Sequence, residues 1–134
     1  MQVKTLGNRF ILLLSTLLCC ALLSSVTYAD DHISTESFEN LPTSKRLLLD
    51  VRSVKEYSKG HIPSSVNMPL EEITSSIERL SEFKDFPIIV YCEHGERASK
   101  AITMLVNNGF TNVKHLQGDM LEWTREQRAV NSLN

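Results

Sequence analysis

The residues best suited to chemistry lie in the stretch VYCEHGERASKA, which runs from Val90 to Ala101. Cys92 follows an apolar run and precedes a predicted helix, and Arg97 comes after four further residues. A tight loop here would turn backbone N–H groups toward the sulfur, and the positive end of the following helix would add to their field. Both effects favour the thiolate, the nucleophilic form of cysteine, and so predict a nucleophilic Cys92. The loop predicted around its sulfur consists of Glu93, His94, Gly95, Glu96 and Arg97.

Arg97 would supply a fixed positive charge beside this nucleophile. Its planar guanidinium suits an oxyanion held by two parallel hydrogen bonds, and it can equally brace the loop. The alternative for Cys92 is a passive position at the end of a buried strand, since free cysteine is among the most buried residue types. The residues alone favour the nucleophile and leave the packing role open.

Residues 1–29 have the features of a secretory signal peptide. Lys4 and Arg9 give a positive start, an apolar run follows over 10–26, and Ala29 is a small residue at the predicted cut. An uncleaved anchor helix is the alternative, but serine and threonine residues weaken the run as a span of about 20 residues. We expect cleavage after Ala29, a periplasmic or secreted location, and no membrane association of the mature chain.

Cleavage there would change the cysteine count and the net charge. Cys19 and Cys20 would leave, so Cys92 would be the single thiol and no internal disulfide could form. In an exported protein, an unpaired cysteine usually indicates intermolecular pairing or a reactive group. Loss of Lys4 and Arg9 takes the formal charge from -2 to -4, because residues 1–29 contain no acidic residue. A mildly acidic domain argues against nucleic-acid binding.

Strands and helices alternate along the rest of the chain, which predicts an α/β domain with a mostly parallel central sheet and helices on both faces. The predicted strands cover residues 46–51, 66–68, 87–91 and 112–116. The predicted helices cover residues 53–60, 70–82, 98–108 and 120–128. The first of these helices opens with a possible capping box, Ser53 with Glu56, and the third ends at Gly109.

The composition, 42% hydrophobic and 22% charged, fits one globular domain. We assign residues 30–45 to a polar leader with at most a short edge strand and one helical turn, 46–128 to the domain, and 129–134 to a tail. His32, His61, His94 and His115 are scattered, and a single thiol cannot form a structural zinc site of the usual kinds. We therefore expect no metal and no other cofactor.

Three blocks, in the right order, resemble the single-domain rhodanese family of sulfurtransferases. LLLDVRSVKEYSKGHIPSSVNMPL resembles its Asp-Val-Arg strand, its Glu-Tyr helix and its Gly-His-Ile-Pro segment. IVYCEHGERASKA resembles its active-site strand, loop and helix, and GFTNVKHLQGDMLEW its closing strand and Trp-containing helix. The resemblance covers about residues 47–123. A small exported protein of one domain is similar to the periplasmic phage shock protein E type.

The resemblance implies a sulfur transfer in two steps. Cys92 would attack the outer sulfur of a small donor, hold it as a persulfide, and pass it to a thiophilic acceptor such as cyanide or a thiol. The loop amides would stabilise the terminal sulfur, and Arg97 would orient the loop or the sulfonate of the donor. Asp50 and Arg52 match the first block and are expected to brace the loop rather than react. We expect a monomer.

Two departures from the family pattern bear on the substrate and on one turn. Glu93 and Glu96 stand where relatives that use thiosulfate often carry basic residues, so a dianionic donor would meet repulsion, most strongly at low salt. Thiosulfate is therefore expected to be a poor donor beside a polysulfide or a low-molecular-weight persulfide. Asp119 stands where the family often has a second glycine after Gly118, which leaves the turn before the last helix undefined.

Two other functions fit part of the pattern. Cysteine phosphatases and arsenate reductases also combine a cysteine, inward amides and an arginine, but they resemble a Cys followed by five residues and then Arg. Here four residues separate Cys92 from Arg97, and the negative charges of the two glutamates disfavour binding of a phosphate group. A non-catalytic persulfide carrier or protein-binding module is the second alternative. Trp123 is a possible partner contact for such a module, although a Trp on a closing helix more often packs on the core.

Overall fold

The computed structural model describes residues 32–133, so the predicted signal peptide over 1–29 lies outside the described residues. Five parallel strands form one sheet in this range, with helices packed on both of its faces. The strands are β1 His32–Ile33, β2 Leu47–Asp50, β3 Val66–Asn67, β4 Ile88–Tyr91 and β5 Val113–Leu116. The α-helices are α1 Thr35–Glu39, α2 Val54–Lys59, α3 Ile73–Ser76, α4 Glu96–Asn107 and α5 Asp119–Arg125. The predicted α/β fold is confirmed.

The strand order places β4 at the centre of the sheet. The order is β1-β5-β4-β2-β3, and every neighbouring pair is parallel. Val90 of β4 lies opposite Leu49 of β2 on one side and His115 of β5 on the other. The carboxyl ends of parallel strands meet at one edge, where open α/β sheets hold their sites. Cys92 follows β4 directly and therefore lies at the middle of that edge.

Two apolar layers cover the two faces of the sheet. Leu49 and Val90 face the layer that contains Ala98, Ala101 and Leu105 of α4. Alternate strand residues face the other layer, which consists of Phe38, Leu48, Ile62, Ile89, Tyr91, Leu116, Met120 and Trp123. Every residue of β2 and β4 is buried, which explains why their sequences are continuous apolar runs without alternation. Trp123 of α5 is buried in this second layer rather than exposed at the surface.

The predicted amphipathic helix over 70–82 is wrong in type. The segment starts with a 3-10 turn at Leu70–Glu72, continues as α3, and ends in a second 3-10 helix at Ile77–Phe83. The apolar spacing explains the difference, because steps of three residues, from 70 to 73 and from 77 to 80, suit the 3-10 repeat. The single step of four, from 73 to 77, coincides with α3. Ile73 and Leu80 are buried as the prediction required.

Local signals fix the ends of two helices. Ser53 and Glu56 form the predicted capping box at the start of α2. At the end of α4, Gly109 adopts a left-handed backbone with φ of +87°. Its N–H donates to Val106 O at 3.0 Å, and the N–H of Phe110 donates to Leu105 O at 3.2 Å. This pair of bonds is a Schellman motif, and it satisfies carbonyl groups that the helix end leaves open.

The segments assigned to the leader and the tail both pack on the domain. β1 pairs with β5 at the sheet edge, and Phe38 of α1 is buried. Asn131 of the tail forms two backbone hydrogen bonds with His61 of the domain. The N–H of His61 donates to Asn131 O and the N–H of Asn131 donates to His61 O, both at 2.9 Å. The domain bounds of 46–128 stay a prediction. No helix within residues 32–133 has the length and apolar character needed to cross a membrane.

We expect Gly109→Ala to lower the free energy of unfolding by about 1 kcal/mol. A Cβ at this position would meet nothing within 4 Å, so the cost comes from the left-handed backbone alone. Gly60→Ala is the matched control, because its site is equally open but its φ of 174° is extended backbone. Urea denaturation should show a shift of less than about 0.5 kcal/mol for the control. Equal effects of the two substitutions would contradict this explanation.

Candidate active site

Cys92 lies where the central strand ends and the chain turns into α4. Its side chain is 2% exposed and packs in the same apolar layer as Val90. The N–H of Gly95 donates to Cys92 Sγ at 3.0 Å, which closes the loop onto the sulfur within three residues. Gly95 is also the residue before α4, so the positive end of a 12-residue helix begins beside the sulfur. Both features stabilise negative charge on sulfur.

Gly95 is required at this turn for its backbone and for its size. Its φ of +98° is left-handed, a conformation that side chains rarely adopt. A Cβ there would lie 3.2 Å from Asp119 Oδ2 and 3.2 Å from His115 Cε1. The loop therefore packs closely on His115 of β5 and on Asp119, the first residue of α5.

Arg97 is held by a glutamate of α2. Its Nη1 and Nη2 donate to Glu56 Oε2 and Oε1, each at 2.8 Å, in a bidentate pair. The hydrogen bonds and charge of Glu56 raise the pKa of Arg97 against the opposing effect of burial, and Cys92 adds a smaller contribution of the same sign. Glu56 also accepts from the Ser53 N–H at 3.0 Å, so it fixes the start of α2 and the loop arginine together.

Arg52 joins β2 to the loop beside Cys92. Its Nη2 donates to Asp50 Oδ2 at 2.8 Å and to Gly60 O at 2.7 Å, while its Nη1 donates to Glu93 Oε2 at 3.1 Å. Asp50 and Arg52 are buried. Burial alone would lower the pKa of Arg52, but the hydrogen bonds and charge of Asp50, helped by Glu93, outweigh it and raise that pKa. Arg52 therefore connects buried Asp50 to the loop through Glu93, and the bracing role of the two residues stays a prediction.

The two loop glutamates differ in their surroundings. Glu93 forms an ion pair with buried Arg52. Glu96 is 82% exposed and pairs with Lys100 one turn along α4, which lowers the pKa of Glu96. His94 is exposed between them. Each glutamate therefore has its own cationic partner, and their repulsion of an anionic donor is weaker than two unpaired charges would produce.

Asp119 at the start of α5 and His115 on β5 lie against the loop. The sequence analysis assigned neither of them to the site. Asp119 Oδ1 accepts from the Cys92 N–H at 2.8 Å. His115 Nε2 lies 3.1 Å from Asp119 Oδ1 and 2.9 Å from Oδ2. All three residues are buried. The available signal was Asp119 itself, an acidic residue at a position where the resemblance predicted glycine.

Within residues 32–133, no group of three or more His, Cys, Asp or Glu side chains is placed to hold a metal ion. The site instead contains one thiol, a loop amide, a helix start and two arginines paired with carboxylates. This set suits covalent chemistry at sulfur with an anionic intermediate.

Residues 34–126 match the family model described as Rhodanese-like domain. The fold is similar to a rhodanese-related protein from Thermoplasma volcanium, with a TM-score of 0.65 and 29% identity over 75% of this chain and 96% of that one. It is also similar to a thiosulfate sulfurtransferase from Pseudomonas aeruginosa, with a TM-score of 0.62 and 26% identity. That match covers 66% of this chain and 17% of the other.

The chain is also similar to part of several longer proteins. A tRNA uridine(34) hydroxylase from Buchnera aphidicola is 32% identical over 107 residues, which are 76% of this chain and 34% of the relative. The protein of the same name from Escherichia fergusonii is 34% identical over 61% of this chain and 25% of its own length. The chain thus spans about a third or less of these relatives.

The pair of Glu56 and Arg97 should make stability depend on pH. The hydrogen bonds from Arg97 hold the pKa of Glu56 well below its ordinary value of 4.5. Because the folded-state pKa is depressed, the stabilisation is fully present above about pH 4.5 and is lost as the pH falls toward the folded-state value. We expect Glu56→Gln to cost about 0.5 to 1 kcal/mol at pH 7, since the pair is one-third exposed.

Gln keeps an oxygen for the capping box, but its amide nitrogen cannot accept from Arg97, so this variant removes the charge together with one of the two Arg97 hydrogen bonds. Urea denaturation of both proteins from pH 7 to pH 3 should show the difference narrowing below pH 4.5. Glu82→Gln, at an exposed residue of the Ile77–Phe83 helix, is the control for loss of one negative charge. A difference that stays constant down to pH 3 would contradict the prediction.

Proposed function

We propose, from the premise that this chain belongs to the Rhodanese-like domain family, that it is a sulfurtransferase whose Cys92 carries sulfane sulfur as a persulfide. One observation carries the proposal, the hydrogen bond from the Gly95 amide to Cys92 Sγ at the start of α4. A loop closed on a sulfur atom stabilises a thiolate and then the anionic sulfur of a persulfide.

The reaction proceeds in two half-reactions. The Cys92 thiolate attacks the outer sulfur of the donor, and the sulfur–sulfur bond of the donor breaks. The leaving group departs with the bonding electron pair, as sulfite from thiosulfate or as a thiolate from a persulfide. The acceptor, cyanide or a thiolate, then attacks the terminal sulfur and releases the Cys92 thiolate. One residue is both nucleophile and carrier, so the kinetics are ping-pong.

The contacts of Arg97 favour a persulfide or polysulfide as donor. Arg97 uses one N–H of Nη1 and one of Nη2 for Glu56, and the carboxylate balances the charge of the guanidinium. Glu93 and Glu96 add negative charge near the entrance, although each has a cationic partner. A dianionic donor such as thiosulfate therefore gains less attraction from Arg97 than it would from an unpaired guanidinium. A donor that needs no sulfonate contact loses nothing by that pairing.

The compartment is a further part of the proposal. A cleaved signal peptide over 1–29 would export the protein to the periplasm or outside the cell. Cys92 would then be its one thiol in an oxidising compartment. A persulfide carrier there needs a reductant or thiol acceptor that returns the cysteine to its thiolate.

We expect Cys92→Ser to abolish sulfur transfer while leaving the fold intact, because serine fills nearly the same space. Purified protein would be incubated with thiosulfate, polysulfide or glutathione persulfide and its intact mass measured. The wild type should gain one sulfur atom that a reductant removes, and it should convert cyanide to thiocyanate. Circular dichroism of the variant serves as the folding control.

Three outcomes distinguish the alternatives. Unchanged turnover in Cys92→Ser, or aryl-phosphate hydrolysis without sulfur transfer, would overturn the proposal. A stable added sulfur on Cys92 without turnover to cyanide or thiols would indicate a carrier. A protein that gains no sulfur from any of the three donors would contradict both the enzyme and the carrier.

We expect Glu56→Gln to improve the use of thiosulfate about threefold to tenfold in kcat/KM at low salt, since removing one charge near a dianion is worth roughly 1 kcal/mol. The gain should shrink at high salt. Glu82→Gln is the matched control, since it also removes one negative charge. Glu82 precedes the amino end of β4, so it lies at the edge of the sheet opposite to Cys92. The rate with glutathione persulfide should change less. An equal gain in both glutamate variants would contradict the assigned role of Glu56.

A further inference from the structure

Asp119 combines an unfavourable backbone with a buried charge. It is the first residue of α5, its φ is +55°, and its side chain is buried. A left-handed residue other than glycine costs about 1 kcal/mol, and a buried carboxylate costs more unless it is hydrogen-bonded. Glycine, which the resemblance predicts here, would avoid both costs. The carboxylate must therefore be compensated by its contacts.

Those contacts are with the nucleophile and with His115. Asp119 Oδ1 accepts the N–H of Cys92 at 2.8 Å, and both carboxylate oxygens lie within 3.1 Å of His115 Nε2. His115 is on β5, the strand beside β4, so its ring orients the carboxylate from a rigid element. The bond partner of Asp119 at the active loop is thus the backbone of Cys92 rather than its sulfur.

The first turn of α5 also holds the carbonyl groups of the loop. The N–H of Met120 donates to Cys92 O at 3.0 Å, and the N–H of Leu121 donates to Glu93 O at 3.3 Å. The backbone of Cys92 is therefore fixed at its N–H by a side chain of α5 and at its carbonyl by an amide of α5. Both bonds depend on the position of one helix start.

Asp119 reaches the other end of the loop as well. A Cβ on Gly95 would lie 3.2 Å from Asp119 Oδ2, so the carboxylate packs against the residue whose amide binds the sulfur. The distance between Cys92 Sγ and the Gly95 N–H depends on the backbone positions of Cys92 and Gly95. Asp119 contacts both of them.

We propose that Asp119, oriented by His115, is a positioning residue that sets the Cys92 backbone and Gly95 so that the loop amide meets the sulfur. The inference rests on the proposed sulfur transfer for its effect on turnover, but its effect on Cys92 reactivity is independent of any donor. Asp119 acts through Cys92 and Gly95, and none of its hydrogen bonds goes to a reacting atom within the described residues.

The test compares Asp119→Asn with Asp119→Gly in the purified protein. Asparagine tolerates the left-handed backbone and keeps an oxygen that accepts the Cys92 N–H. Glycine suits the backbone even better but removes the acceptor. We expect Asp119→Asn to stay within about threefold of the wild type, and Asp119→Gly to lose about tenfold or more, the cost of one hydrogen bond of roughly 1.4 kcal/mol. Asp85→Gly, at an exposed turn before β4, is the matched control.

Three readouts are measured for every variant. The first is kcat/KM for sulfur transfer, and the second is the rate at which iodoacetamide alkylates Cys92, which needs no sulfur donor. The third is amide hydrogen exchange at Cys92 relative to Ile89 in β4, the strand that precedes it. Asp119→Gly should show slower turnover, slower alkylation and at least tenfold faster exchange at Cys92. A general loss of stability would speed exchange at both amides.

Wild-type turnover and alkylation in Asp119→Gly would overturn the inference. So would an equal loss in Asp119→Asn, because that variant keeps the hydrogen bond. If Asp119→Gly does not fold, Asp119→Ser replaces it, since serine also removes the carboxylate. If the wild type transfers no sulfur at all, the proposed function fails, and the alkylation and exchange data still decide the role of Asp119.

Discussion

The hydrogen bond from the Gly95 amide to Cys92 Sγ requires a loop that turns back on itself within three residues. Such a turn needs a left-handed glycine, and it leaves the loop backbone dependent on neighbouring elements for its hydrogen bonds. α5 binds the loop from one side through Asp119 and Met120. β2 binds it from the other side, where Arg52 pairs with Glu93. The sheet order makes this possible because β4 lies between β2 and β5.

The charged side chains around the Cys92 loop occur in pairs of opposite sign. Asp50 and Arg52 pair inside the domain, and Glu56 and Arg97 pair at its surface. Buried ion pairs add little net stability because desolvation offsets their attraction, but breaking one leaves an uncompensated charge. The pairs therefore specify which loop conformation is populated more than they raise overall stability. In the proposed sulfur transfer, that specificity would keep the loop amide directed at one sulfur atom.

The features that the sequence predicted correctly are local. The apolar runs of β2 and β4, the capping box at Ser53 and the glycine stop at Gly109 are each determined by a few adjacent residues. The helix predicted over 70–82 was wrong in type because α and 3-10 spacing differ by a fraction of a residue per turn. The partners of Arg52 and Arg97 at the loop and at α2 lie 41 residues away in sequence, so only the strand register brings them together. The contact from Asp119 to Cys92 depends on that register too.

The sequence offered packing and reactivity as alternatives for Cys92, and a sulfur that is buried yet bonded to a loop amide has features of both. Cys92 is 2% exposed because the same loop that presents the Gly95 amide also covers the sulfur. In the proposed reaction, a persulfide on Cys92 would place the reactive atom one bond further from the backbone than the buried Sγ. The burial that makes Cys92 resemble a core residue therefore follows from the loop geometry on which the proposed sulfur transfer rests.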